Sequence, residues 1–209
     1  MKKFLRCWDF SKAINHLRKD RKLVKVIDDV GQYKITLVKN PYESLVEAII
    51  TQQLSGKAAD SISKRFREIY GRFPKPADVV KTPHSKLRAA GLSGMKASYI
   101  KDLSRKIEKK ELRIGALKNM TDDDVIEQLT RVRGIGRWTA EMFLIFSLGR
   151  LDVLPVGDLG LRKGVQRLYS LSELPEKDEI ENIAEGWRPY RTVATWYIWK
   201  SLSQFEKIG

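Results

Sequence analysis

Apolar positions along most of the chain recur at three- and four-residue intervals, the spacing that gathers side chains onto one helical face. Leu45, Ala48, Ile49 and Leu54 form one such stripe, and Ala59, Ile62, Phe66 and Tyr70 form a second, stopped by Gly71. The same spacing predicts short helices over Ser11–Leu17 and Leu23–Ile27, and again over 77–81 and 85–89, with Gly91 and Gly94 closing that unit. Ile100, Leu103 and Ile107 mark another helix with a Lys/Arg-rich outer face. Thr121 followed by three aspartates reads as a helix start, a hydroxyl cap with acids over the positive end of the dipole. Tyr190 to Phe205 is aromatic and apolar enough for a buried helix, with Trp196 and Tyr197 assigned to the core. Only GQYKITLVKN, residues 31–40, alternates as a short strand does, and Asn40-Pro41 marks a boundary after it. The pattern predicts a mainly α fold with a little strand near the N-terminus.

Composition limits the chemistry. The chain has 209 residues, enough to bury a core without staples, and its 40 Lys and Arg against 26 Asp and Glu give a net charge of +14. Charge of one sign at this level points to a polyanionic partner. Hydrophobic residues at 42% exclude wholesale disorder, and charged residues at 32% exclude an integral membrane protein. A single cysteine, Cys7, excludes a disulfide framework, a four-cysteine iron–sulfur cluster and a cysteine-based zinc finger. Two histidines, His16 and His84, without metal-binding spacing argue against a zinc enzyme. The start of the chain is too short and polar for a secretory signal, so an intracellular protein is expected, cytoplasmic or nucleoid-associated or nuclear, with no membrane partner.

The most specific stretch is Leu129 to Ala140, LTRVRGIGRWTA. A capped helix runs into Gly134-Ile135-Gly136, and a second helix begins at Arg137. Two glycines around an aliphatic residue permit a tight hairpin and close backbone approach. Amides at the second helix's start then offer a phosphate site, with Arg131, Arg133 and Arg137 beside it. An ordinary helix–helix turn would have no need of three arginines, and a helix–hairpin–helix for sequence-independent DNA binding is the better reading. Lys96, next to Gly94, is a further phosphate candidate.

Beyond the hairpin lies LPVGD, residues 154–158, followed by a helical segment. Asp158 caps that helix, a role compatible with catalysis; Asp152 is the competing carboxylate.

Together, GIGRWTA and the loop ending in one aspartate resemble the helix–hairpin–helix–GPD superfamily of DNA glycosylases. Asn40–Ile62, Ala89–Ile100 and Trp187–Trp199 are similar to its 3-methyladenine DNA glycosylase II branch. The resemblance runs from about Asn40 to Lys200. It implies a fold of two helical lobes with the active site in the cleft and little or no N-terminal β-domain, like the compact members of the branch. Residues 1–39 would be a basic segment packed on the lobes and residues 40–209 the glycosylase domain. The first forty residues carry 11 basic and 4 acidic side chains, a net +7 whose role is unassigned.

By the same resemblance, Asp158 matches the catalytic aspartate. Trp138 stands where lyase-competent relatives place a nucleophilic lysine, which implies a monofunctional enzyme. Trp138 and Trp199 match base-pocket positions, as does Met142, where a bacterial relative has tyrosine. Gln53 matches the side chain inserted into DNA, with Gln52 and Leu54 as weaker wedge candidates. Gly134, Gly136, Arg133, Arg137 and Lys96 would meet phosphates. Backbone carbonyls of Thr130, Val132 and Gly134 would hold Na+ or K+, and catalysis itself would need no cofactor. The implied partner is double-stranded DNA bearing a damaged base, and a monomer is the default. The implied activity is excision of alkylated, cationic purines such as 3-methyladenine and 7-methylguanine, the first step of base excision repair. Two alternatives stay open: a glycosylase for 8-oxoguanine or hypoxanthine, and a non-catalytic hairpin protein that binds DNA.

Overall fold

The computed structural model of the protein describes residues 10–205, with side chains to residue 202. The described residues form twelve α-helices and two 3₁₀ turns, with no strand. In chain order the helices are α1 (Ser11–Leu17), α2 (Arg21–Val30), α3 (Pro41–Thr51), α4 (Gly56–Glu68), α5 (Pro76–Lys81) and α6 (His84–Ala89). They continue with α7 (Gly94–Glu108), α8 (Asp122–Thr130), α9 (Arg137–Phe146), α10 (Leu159–Tyr169), α11 (Lys177–Ala184) and α12 (Arg191–Phe205). The 3₁₀ turns are Ile114–Asn119 and Glu185–Trp187.

Side-chain caps set several of these starts. Asn40 accepts the amides of Tyr42 and Glu43 at 3.1 and 3.3 Å ahead of α3, whose first residue is Pro41. Thr121 accepts the Asp124 amide at 3.2 Å, as its sequence context predicts. Gly94, expected to close a unit, opens α7 instead, because Ser93 caps that helix through the Lys96 amide at 3.2 Å. Gly91, with φ +97, does end the preceding turn.

Residues 31–40 are not a strand. Their alternation reflects Tyr33 and Ile35 turning toward a helical core, with no second strand among the described residues to complete a ladder. Val38 donates its amide to the Phe146 carbonyl at the end of α9, at 2.8 Å.

The chain divides into two compact units. One joins the described residues up to Thr36 with those from Arg150 onward; the other is Leu37–Gly149. In the first, α1 and α2 contribute Ala13, Leu17, Leu23, Val26 and Ile27 to the same core as Leu161, Val165, Val193, Tyr197 and Ile198. Within the basic segment, α1 and α2 are therefore structural on their apolar sides. Trp196 and Tyr197 are buried, in keeping with their assignment to the core. At Gly164 of α10 a Cβ would lie 2.1 Å from Ile198 Cγ2 of α12, so only glycine permits this helix crossing. In the second unit α3 buries Leu45, Val46, Ile49 and Ile50, and α7 buries Ala97, Ile100 and Leu103. That packing fixes the C-terminal end of α3 and one side of the α8–α9 hairpin.

Candidate active site

In the unit that contains α10, residues 154–158 turn tightly: the Asp158 amide donates to Pro155 O at 2.8 Å and the Val156 amide to Leu154 O at 2.9 Å. Asp158 has extended backbone, so its side chain folds over the first turn of α10 and Oδ1 accepts the Leu161 amide at 2.7 Å. The same Oδ1 accepts the indole N–H of Trp199, from α12, at 2.8 Å. Both residues are half-buried. Gly160 makes room for this pair: a Cβ there would lie 3.0 Å from Asp158 Oδ1 and 3.2 Å from Trp199 Cδ1. Asp152 is placed very differently. Arg191 donates to it through Nε at 2.8 Å and Nη2 at 3.0 Å, and Arg188 through Nη1 at 3.0 Å. Two guanidiniums tie that carboxylate to the start of α12, which marks it as structural.

In the second unit α8 ends at Thr130 and the chain reverses through Gly134, with φ +83. A Cβ on Gly134 would lie 2.1 Å from Cδ2 of Tyr99, so the glycine serves close approach to an aromatic ring of α7. Gly136 is the N-cap of α9, and a Cβ there would meet nothing within 4 Å. Gly136 thus adds no side chain beside the first amides of α9. Arg133 and Arg137 flank them with side chains 61% and 63% exposed; Arg133 stands 3.8 Å from Asp102, and Arg137 Nε donates to the buried Glu141 at 2.9 Å. Trp138, on the first turn of α9, is 48% exposed for so large a ring. Met142 lies one turn further along and is half-buried.

The wedge candidates follow α3. Gln53 is exposed and adopts φ +54, the left-handed region that non-glycine residues avoid. Leu54 is 38% exposed. Gln52 turns the other way, its Nε2 donating to Gly134 O at 2.7 Å. Lys96, expected at a phosphate, instead directs its ammonium at two carbonyls, Ile50 O at 2.8 Å and Gln52 O at 2.6 Å. The unpaired carbonyls at the end of a helix attract a cation, and Lys96 reaches them from α7. Burial lowers its pKa. Sequence reading missed this contact and those of Tyr99 and Asp102, although the three share a three-residue spacing on α7.

Residues 46–189 match a family model described as HhH-GPD superfamily base excision DNA repair protein. DNA-3-methyladenine glycosylase 1 of Schizosaccharomyces pombe is 37% identical over 190 residues, covering 87% of this chain and 81% of that protein. The putative DNA-3-methyladenine glycosylase YfjP of Bacillus subtilis is 30% identical over 197 residues, covering 91% and 68%. Among solved structures, the S. pombe 3-methyladenine DNA glycosylase in complex with abasic DNA aligns with TM-score 0.79 and 36% identity, over 92% of this chain and 97% of that one. A DNA-3-methyladenine glycosidase from Bacillus halodurans aligns with TM-score 0.85 and 38% identity, over 93% and 91%.

Proposed function

The chain belongs to the HhH-GPD superfamily of base excision DNA repair proteins, and from that membership we propose a monofunctional DNA glycosylase that hydrolyses the N-glycosidic bond of alkylated, cationic purines. 3-Methyladenine and 7-methylguanine are the substrates named by this reading. The observation that carries it is the Asp158 carboxylate, oriented by the Leu161 amide and the Trp199 indole, while the rival Asp152 is consumed by two arginines.

Duplex DNA is held by its phosphates through the amides beyond Gly136 and the side chains of Arg133 and Arg137, without sequence readout. The damaged nucleotide is extruded at a cost of a few kcal/mol, smallest for a poorly paired lesion. Gln53 enters the space left in the stack. A purine that already carries positive charge leaves readily, so one well-placed carboxylate serves instead of an acid/base pair. Asp158 stabilises the oxocarbenium-like sugar and orients or deprotonates the attacking water. In this reading Trp199, beside Asp158, and Trp138, on the first turn of α9, each carry a ring face able to attract a cationic base by roughly 0.5–2 kcal/mol, and Met142 on α9 is an apolar base-contact candidate. With tryptophan at position 138, no lysine is present there to form a Schiff base, and hydrolysis leaves an abasic site.

The carbonyls of Thr130, Val132 and Gly134 would hold Na+ or K+. Neutral carbonyl oxygens suit a hard ion of low charge. Val132 O and Gly134 O each accept one hydrogen bond, from the Ile135 amide at 3.1 Å and Gln52 Nε2 at 2.7 Å, which leaves each a second lone pair. When bound, the ion would supply positive charge next to a DNA phosphate. Catalysis itself needs no cofactor in this reading. No helix among the described residues is long and apolar enough to cross a membrane. The protein is proposed to act as an intracellular monomer.

Incubation with methylated, deaminated and oxidised duplexes, with each released base identified by mass spectrometry, tests the proposal. Release of 3-methyladenine or 7-methylguanine is expected. Preferred release of 8-oxoguanine or hypoxanthine would overturn the specificity, and release of no base would overturn the activity.

A further inference from the structure

One flank of α7 touches both the end of α3 and the hairpin. Lys96 Nζ donates to Ile50 O and Gln52 O at 2.8 and 2.6 Å. Three residues on, Tyr99 lies so close to Gly134 that no side chain fits there. Three further on, Asp102 Oδ2 accepts the Arg133 amide at 3.1 Å. Gln52 closes the circuit, its Nε2 donating to Gly134 O at 2.7 Å. Between these fixed points stands Gln53, in a left-handed conformation that is strained for a non-glycine residue and persists only where neighbours over-determine it.

We propose that Lys96 and Gln52 are positioning residues for base extrusion, locking the Gln53 turn in a fixed register to the phosphate-binding hairpin. Seating the hairpin on the backbone then delivers Gln53 into the stack, so the grip on phosphate and the opening of the pair become one event. A wedge on a loose loop would lose ordering entropy with each extrusion; here that entropy is removed in folding. An ammonium drawn from water onto two carbonyls is a costly way merely to end a helix. Its use where the adjacent residue is the wedge candidate is what the circuit accounts for. The inference rests on the glycosylase reading given above and on Gln53 as the inserted side chain.

The test compares release of 7-methylguanine, in single turnover, from a duplex where it faces cytosine and from one where it faces an abasic analogue. The second duplex requires little opening. Lys96→Met and Gln52→Met are expected to lower the paired-to-unpaired rate ratio about tenfold, the effect of about 1.4 kcal/mol lost from extrusion. Lys96→Arg keeps a cation within reach of the carbonyls and is expected to recover most of the ratio. A general loss of fold would slow both duplexes alike. Equal slowing on the two duplexes by both variants, or no slowing by either, overturns the positioning role. Should Lys96→Met not fold, Gln52→Met decides alone. Failure of the wild-type protein to release base from either duplex is a separate result, which overturns the glycosylase reading itself.

Discussion

The indole N–H of Trp199 donates to Oδ1 of Asp158 at 2.8 Å, and that oxygen also accepts the Leu161 amide at 2.7 Å. Two helices thus fix one carboxylate. Hydrogen bonds to a charged group contribute about 1.5–3 kcal/mol each. Trp199→Phe keeps an aromatic face and removes the donor. Base release in single turnover should slow roughly ten- to a hundredfold, with affinity for undamaged DNA unchanged in a fluorescence-anisotropy titration. An unchanged rate would leave Trp199 only as a wall for the base.

Gly160 and Gly164 sit on the same helix and should separate function from stability. Gly160→Ala places a methyl group 3.0 Å from Asp158 Oδ1 and 3.2 Å from Trp199 Cδ1, so the indole must shift. Turnover should fall while the urea midpoint barely moves. Gly164→Ala meets Ile198 Cγ2 at 2.1 Å inside the core and should cost about 1–3 kcal/mol in urea unfolding.

Asp20 is expected to govern acid stability. Burial raises its pKa, but hydrogen bonds from Tyr169, from the Trp187 indole at 3.0 Å and from the Lys22 and Leu23 amides outweigh this and hold it below its ordinary 3.8. A folded pKa below the unfolded one contributes stability above pH 3.8, and that contribution is lost as pH falls through the folded value. Asp20→Ala should cost about 2–4 kcal/mol at neutral pH, because it removes the α2 cap and leaves Tyr169 and Trp187 without an acceptor. Urea melts at pH 7 and at pH 3 should show the variant losing less on acidification than the wild type.

Borohydride added during turnover should trap no protein–DNA adduct, since position 138 carries an indole and not an amine. A trapped band on a denaturing gel would contradict monofunctional hydrolysis.

Much of this architecture is readable in the sequence, for identifiable reasons. Thr121 with its three aspartates, and Pro41 after Asn40, carry capping chemistry local to a few residues, and the helices start there. Gly134 marks the hairpin because the chain reverses there with φ +83 and its backbone lies against the Tyr99 ring, whereas Gly136, with φ −91 and open space around it, is legible only as a helix start. The cap at Asp158 is legible; its bond to Trp199 is not, because that partner lies 41 residues away and no pattern encodes the distance. Lys96 misleads for a related reason: beside a glycine in a basic chain it reads as a phosphate contact, and only the packing of α7 against α3 reveals its two carbonyls. The alternation of residues 31–40 shows the converse. A period of two records one-sided burial, and whether a second strand completes the sheet is a tertiary matter.

Asp158→Asn tests the central assignment most directly. The substitution keeps the size of the side chain and an oxygen for the Leu161 amide and removes the charge needed by an oxocarbenium-like sugar. Release of 3-methyladenine from methylated duplex in single turnover should fall at least about hundredfold, with DNA affinity retained. Release at a near-wild-type rate would contradict the assignment of Asp158 as the catalytic carboxylate.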